Sequence, residues 1–128
     1  MEGITQEIRG DVIINKVNLS RATINEASEL NNLLDEQISA GHSKIVVDLS
    51  QCTHLDTVLV GRLVATHKKL LAKGDELYIV STLGPAKELL FQMTAISRVL
   101  KIFNTTEEAI KSFNNRRVAW EFSKAFSK

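Results

Sequence analysis

The sequence has few of the features that mark secreted, membrane-spanning or nucleic-acid-binding proteins. Among its 128 residues there is one cysteine, Cys52, which has no second cysteine for an internal disulfide, so nothing indicates an oxidising compartment. No apolar run approaches the roughly 20 residues that a membrane helix needs, and no signal-type segment opens the chain. The formal net charge of +1 argues against a nucleic-acid binder that depends on a large positive field. We therefore expect a cytoplasmic protein that binds no nucleic acid and contacts a membrane only through a membrane-bound partner.

Patterns typical of metal, cofactor and catalytic sites are also absent. The three histidines, His42, His54 and His67, have no metal-ligand spacing, and the glycines fit neither phosphate-binding fingerprint. Cys52 and a distant histidine could in principle act as nucleophile and base, but no glycine-rich elbow or triad order accompanies them. We predict no metal, no cofactor and no enzymatic activity.

Predicted strands and helices alternate along most of the chain. Short β-branched segments are typical of strands. Apolar residues at helical spacing are typical of helices, and each such stretch follows a capping or turn residue or the only proline, Pro85. The predicted strands are Ile4–Arg9, Val12–Val17, Lys44–Leu49, Leu77–Val80 and Ile102–Phe103. The predicted helices begin at Thr23, Thr57, Pro85 and Thr105. This order predicts an α/β fold with a mixed, mostly parallel sheet of four to five strands and about four helices.

The C-terminal residues form a separate predicted unit. We expect one domain over residues 1–113 and an amphipathic helical extension over residues 114–128. In the extension, Ala119, Phe122 and Phe126 fall on one helical stripe, with Trp120 beside it. This basic, aromatic helix is predicted either to bind a partner or an anionic membrane surface, or to pack on its own sheet or on a second subunit.

One segment of the chain resembles a known family. Residues 44–64, KIVVDLSQCTHLDTVLVGRLV, resemble the central strand, loop and helix of the STAS family, which includes bacterial anti-sigma-factor antagonists. The match rests on Asp48-Leu49-Ser50 at the end of the strand, on Asp56-Thr57 at the start of the helix, and on Gly61. The downstream residues 77–110 also follow the family pattern. The resemblance covers roughly residues 3–113 and implies a single STAS-like domain.

The resemblance implies a phosphorylation-gated protein-binding regulator in signal transduction or transcription regulation. In antagonists of this family, a partner kinase phosphorylates the serine after the motif aspartate, and the matching position here is Thr57. The unmodified form would bind a serine/threonine kinase or an anti-sigma factor, with a phosphatase and a second copy of the chain as further candidate partners. From its position alone, Thr57 is explained as a helix cap, and this interpretation stays open beside the phosphorylation that the resemblance implies. The alternative function is a constitutive STAS scaffold subunit of a stress-signalling or lipid-transport complex.

The expected partner surface surrounds Thr57. Its predicted members are Ser20, Arg21, Asp48, Asp56, Val58, Leu59, Val60 and Arg62. Asp56 is interpreted either as a residue that orients the kinase site or as a helix cap, and Asp48 either as part of a polar cluster near Thr57 or as a strand end that meets water. Residues 58–60 stand where the family commonly has a small polar residue, glycine and leucine, and Ser20 stands where antagonists often carry an acid. This surface is therefore predicted to be more apolar than is usual.

Overall fold

The computed structural model describes residues 3–22, 24–82 and 100–115, with the backbone alone for residues 21–22 and 24–26. The strands are β1 (Ile4–Arg9), β2 (Val12–Val17), β3 (Arg21–Ala22), β4 (Lys44–Asp48), β5 (His54–Leu55), β6 (Glu76–Val80) and β7 (Lys101–Phe103), and the helices are α1 (Ile24–Ser39), α2 (Thr57–Leu71) and α3 (residues 106–115). The predicted helix that begins at Pro85 lies outside the described residues. So does the predicted extension helix with Ala119, Trp120, Phe122 and Phe126, and both stay predictions.

Five strands form one mixed sheet in the order β1-β2-β4-β6-β7. β1 pairs antiparallel with β2, and the other neighbours are parallel. The predicted mostly parallel sheet is thereby confirmed. β4 lies at the centre because its side chains are nearly all apolar and can be buried on both faces. β4 ends one residue before its predicted limit, although the Leu49 N–H still donates to the Val80 carbonyl at 2.7 Å.

Each face of the sheet has its own hydrophobic core because successive side chains of a strand point to opposite faces. On one face, Ile45, Val47 and Ile79 pack with apolar residues of α1 and α2. On the other face, the ring of Tyr78 stacks on that of Phe113 in α3, with the ring centroids 3.9 Å apart. The sheet is therefore covered on both sides within the described residues.

A buried pair of amides joins β2 to α1. Asn15 and Gln37 are both buried, and each side chain donates to the other, with N···O distances of 2.9 and 2.6 Å. A buried amide that loses its partner retains the full cost of leaving water. The pair therefore favours one position of α1 along the sheet.

Glycine residues and side-chain caps define several helix ends. Gly41 and Gly74 have φ angles of 94° and 81° and follow α1 and α2, as glycines that end helices often do. α2 ends at Leu71. At the start of α3, the Glu108 N–H donates to the Thr105 hydroxyl at 3.1 Å. The Glu108 carboxylate accepts from the backbone of residue 104 at 3.3 Å, one residue before the expected cap.

Candidate functional site at the start of α2

The loop that follows β2 and the loop that follows β4 are joined through one backbone carbonyl. The Ser20 carbonyl accepts hydrogen bonds from the Thr53 N–H at 2.7 Å, the His54 N–H at 3.1 Å and the Thr53 hydroxyl at 3.0 Å. The adjacent two-residue strands β3 and β5 then pair in parallel, with Arg21 opposite His54. The structure thus brings residues 20–21 beside the segment that leads into α2. No sequence pattern identified Thr53 or His54, because a backbone acceptor leaves no residue-type signature.

The N-terminus of α2 is capped by Asp56. Its backbone is extended, with φ −83° and ψ 142°, and its carboxylate accepts the Val58 N–H at 2.9 Å. Of the two interpretations offered for Asp56, the structure supports the cap. Thr57 is the first helical residue and not the cap, and its side chain is exposed. Within the described ranges, no hydrogen bond engages the Thr57 hydroxyl.

One side of α2 is turned to solvent and carries small or short side chains. We call this side the outward face and define it by Thr57, Val58, Gly61 and Ala65, all of which are exposed. Val58 is 41% exposed, which is high for an apolar residue in a helix. A Cβ atom built on Gly61 would meet nothing within 4 Å. The outward face is therefore shallow, and another chain could approach its backbone closely.

The charges of α2 are of one sign. Its sequence, TVLVGRLVATHKKLL, contains no aspartate or glutamate. Lys69 is partnered by Asp35 of α1 at 3.2 Å.

Arg62 borders the outward face and is half-buried. Its Nε atom is buried with no hydrogen-bond partner among the described residues.

Three predicted members of the partner surface are buried, and their assignment to that surface was wrong. Leu59 and Val60 are 1% and 0% exposed and lie in the hydrophobic core. An α-helix turns about 100° per residue, so positions 59 and 60 face the sheet while 58 and 61 face solvent. Asp48 is 7% exposed. Its carboxylate accepts the Ser50 N–H at 2.9 Å and the Thr106 hydroxyl of α3 at 3.4 Å, so it faces the side of the sheet opposite to α2.

Cys52 and His67, which were considered as possible catalytic or metal-binding residues, have structural roles among the described residues. Cys52 is 5% exposed and packs in the core that α1 and α2 cover. The buried His67 accepts the Leu77 N–H through Nδ1 at 3.2 Å and so links α2 to β6. Among the described residues, no three histidine, cysteine or acidic side chains are grouped to hold a metal ion. No described helix is long and apolar enough to span a membrane.

The mixed sheet, the two helices on one face and the capped α2 define an α/β domain. The model of the STAS domain matches residues 7–109, and the chain belongs to this family. A putative anti-sigma factor antagonist from Thermotoga maritima is similar in structure, with 25% identity, a TM-score of 0.73, and coverage of 85% of this chain and 92% of that one.

Two structures of the anti-sigma factor antagonist SpoIIAA share the fold. Its unphosphorylated form has 14% identity and a TM-score of 0.74, covering 88% of this chain and 96% of that one. The phosphorylated form, from Bacillus, has 15% identity and a TM-score of 0.67, covering 86% of this chain and 98% of that one. These similarities confirm the predicted family and the predicted fold class.

Proposed function

We propose that this protein is a phosphorylation-gated binding module that acts by association rather than by catalysis. The observation that carries the proposal is the exposed Thr57 hydroxyl at the first position of α2, free of hydrogen bonds to the described residues. A kinase needs an accessible hydroxyl, and a hydroxyl that already capped the helix would have to be released first. Because Asp56 supplies the cap, Thr57 can be modified without removing that bond.

The start of α2 can accept a phosphate without unfolding. A phosphate carries about −1.5 to −2 charges near neutral pH and is stabilised by the positive end of a helix dipole. The backbone N–H groups of the first turn are suited to binding an anion. Phosphorylation of Thr57 is therefore expected to change the surface while leaving the core under α2 intact. Phosphorylation would therefore control partner binding without changing whether the domain is folded.

The outward face supports close docking of the unmodified form. Gly61 has no side chain and Ala65 has only a methyl group, so a partner's backbone could approach α2 closely. Val58 would lose its exposed apolar surface on binding. A phosphate on Thr57 would place a strongly hydrated anion at one end of this contact. Burying that anion without a cation opposite would cost more than the apolar contacts return.

The partner that we propose is a serine/threonine kinase or an anti-sigma factor in the bacterial cytoplasm, with a phosphatase restoring the unmodified form. The fold shared with anti-sigma factor antagonists, including one with a phosphorylated form, supports this proposal. Capture of partners from native cell lysate by the wild-type chain, with Val58→Asp as the matched control, would identify the partner. A partner of the outward face should be retained by wild type and lost with Val58→Asp.

A constitutive scaffold subunit is the second candidate function. The exposure of Val58 favours it, because an apolar outward face can bind without a switch. A kinase assay separates the two candidates. If Thr57 is the gate, incubation with the captured kinase and ATP should add one phosphate at Thr57, located by mass spectrometry, and Thr57→Ala should abolish it. Thr53→Ala is the matched control, since the Thr53 hydroxyl already donates to the Ser20 carbonyl. Absence of phosphate on the wild-type chain would favour the scaffold.

A further inference from the structure

The strand β1 forms an exposed edge of the main sheet. It is the first strand in the sheet order, and within the described residues it pairs only with β2. Every residue from Thr5 to Arg9 is exposed, and no helix or loop of the described residues covers this strand. Ile8 is 64% exposed, more than any other large apolar side chain of the described residues. Proteins commonly protect such an edge with proline, a bulge, a very short strand or charged side chains. β1 has none of the first three, and its charged residues are Glu7 and Arg9.

The backbone of β1 points unpaired hydrogen-bonding groups outward. In an antiparallel pair, alternate residues direct both backbone groups toward the partner strand. The Gly3 carbonyl accepts the Asn18 N–H of the chain beyond β2 at 2.8 Å, so the odd-numbered residues face β2. The two-residue turn after Arg9 gives the same assignment. The residues that flank such a turn, here Arg9 and Val12, are hydrogen-bonded to each other, so Arg9 also faces β2. The N–H and C=O groups of Ile4, Gln6 and Ile8 therefore face away from the sheet.

The charges on β1 are complementary to those of a second β1 strand. Glu7 and Arg9 have opposite charges, lie two residues apart on the same face, and pair with each other at 3.0 Å in the single chain. When two copies of β1 pair antiparallel with Ile8 opposite Ile8, Glu7 of each copy lies opposite Arg9 of the other. A pairing centred on Glu7 would instead oppose two carboxylates, which is unfavourable. A pairing centred on Gln6 would leave both charges opposite Thr5 and Gly3. The charges thus select the pairing centred on Ile8.

We propose that β1 is a self-association edge through which two copies of this chain form one continuous sheet. The exposed Ile8 side chains contact each other across the two-fold axis, and the outward backbone groups of Ile8 hydrogen-bond across it. α2 contacts β6, which is separated from β1 by β2 and β4. Both outward faces consequently remain accessible in the dimer. The dimer would present two Thr57 surfaces, and a dimeric partner could bind them with higher avidity.

Charge exchange tests this pairing in the full chain. Sedimentation equilibrium should give a monomer–dimer equilibrium for wild type, and Glu7→Arg should weaken dimerisation about tenfold or more because two arginines then face each other. Glu7→Arg combined with Arg9→Glu exchanges the charges and should restore most of the lost affinity. Arg9 also binds Glu107 at 3.1 Å within its own chain, so Glu107→Gln is the matched control and should leave dimerisation unchanged.

A proline on the outward side of β1 tests the backbone contribution. Ile8→Pro removes the N–H that hydrogen-bonds across the two-fold axis and faces away from β2, and edge strands accept proline at such positions. This variant should be monomeric and retain the circular dichroism spectrum of wild type. A monomeric wild type, a dimer that Ile8→Pro leaves intact, or a charge exchange that restores nothing would each overturn the proposal. These readouts measure mass and not phosphorylation, so they are independent of the proposed function.

Discussion

The two sides of α2 differ in what they do for the protein. The inward side carries Leu59, Leu63 and Leu70, all 0–1% exposed, and joins the helix to the sheet. The outward face carries Thr57, Val58 and further short side chains that contact little of the described chain. Burial of a leucine side chain contributes about 1.5–3 kcal/mol to stability, whereas exposed side chains contribute little. The inward side therefore determines stability, and the outward face is available for binding.

The largest expected effect is a loss of stability from the inward side. Leu63→Ala should lower the free energy of unfolding by about 2–5 kcal/mol, because it leaves a cavity between α2 and the sheet. Leu71→Ala is the matched control, since Leu71 lies in the same helix but is 47% exposed. Its loss should stay below about 1 kcal/mol. Urea unfolding measures both, and equal losses would show that the two sides do not differ as described.

A smaller effect is expected at the junction of the two sides, where α2 begins. Asp56→Ala should lower the free energy of unfolding by about 0.5–2 kcal/mol, because the Val58 N–H loses its carboxylate acceptor. Thr57→Ala should change it by no more than about 0.5 kcal/mol. Thermal unfolding followed by circular dichroism compares them. If Thr57→Ala were the more costly change, Thr57 would be the cap and its hydroxyl would not be free.

The outward face is expected to give a gain in stability instead of a loss. Gly61→Ala should raise the free energy of unfolding by about 0.5–1 kcal/mol, because alanine is the better helix former and its Cβ meets open space. The same variant should weaken partner binding if the partner approaches the α2 backbone. Ala65→Gly is the reciprocal control and should lower stability. A Gly61→Ala variant that binds as well as wild type would remove Gly61 from the proposed contact.

The smallest effect is expected at an exposed ion pair distant from α2. The pKa of Glu107 is lowered, first by a hydrogen bond from its own backbone N–H and then by Arg9. Any stability that this carboxylate contributes is present near neutral pH and decreases as the pH falls through its lowered pKa. Exposed pairs of this kind contribute little, so Glu107→Gln should leave the melting temperature almost unchanged at neutral pH. A large decrease would mean that exposed residues also support the fold.

Those parts of the fold that depend on local sequence alone, such as apolar strands and helix caps, could be predicted well. The apolar segment that became β4 and the cap at Thr105 both follow from local chemistry. The prediction of which residues are exposed failed where exposure depends on how a helix packs on the sheet. Val58, Leu59 and Val60 are equally apolar, and only the packing of α2 on the sheet separates the exposed Val58 from its two neighbours. The Asn15–Gln37 pair joins residues 22 positions apart, and neither has a local pattern that indicates the other.

The candidate site likewise has features that local sequence predicts and features that depend on tertiary packing. The position of Thr57 at the start of α2 could be predicted from the sequence, because Asp56-Thr57 precedes a helical pattern. The direction of Asp48 could not, because alternation along a strand assigns it to a face without saying which helix covers that face. Only the contact with Thr106 shows that α3, and not α2, lies above its carboxylate.

Under the proposed function, a phosphate on Thr57 ends partner binding without unfolding the domain. Isothermal titration calorimetry of the captured partner with unmodified protein and with protein verified to carry phosphothreonine at position 57 measures this change in affinity. We predict at least a tenfold loss of affinity, which corresponds to 1.4 kcal/mol, with a melting temperature close to that of the unmodified chain. Equal affinity of the two forms would contradict the gate and leave the constitutive scaffold as the function of the outward face.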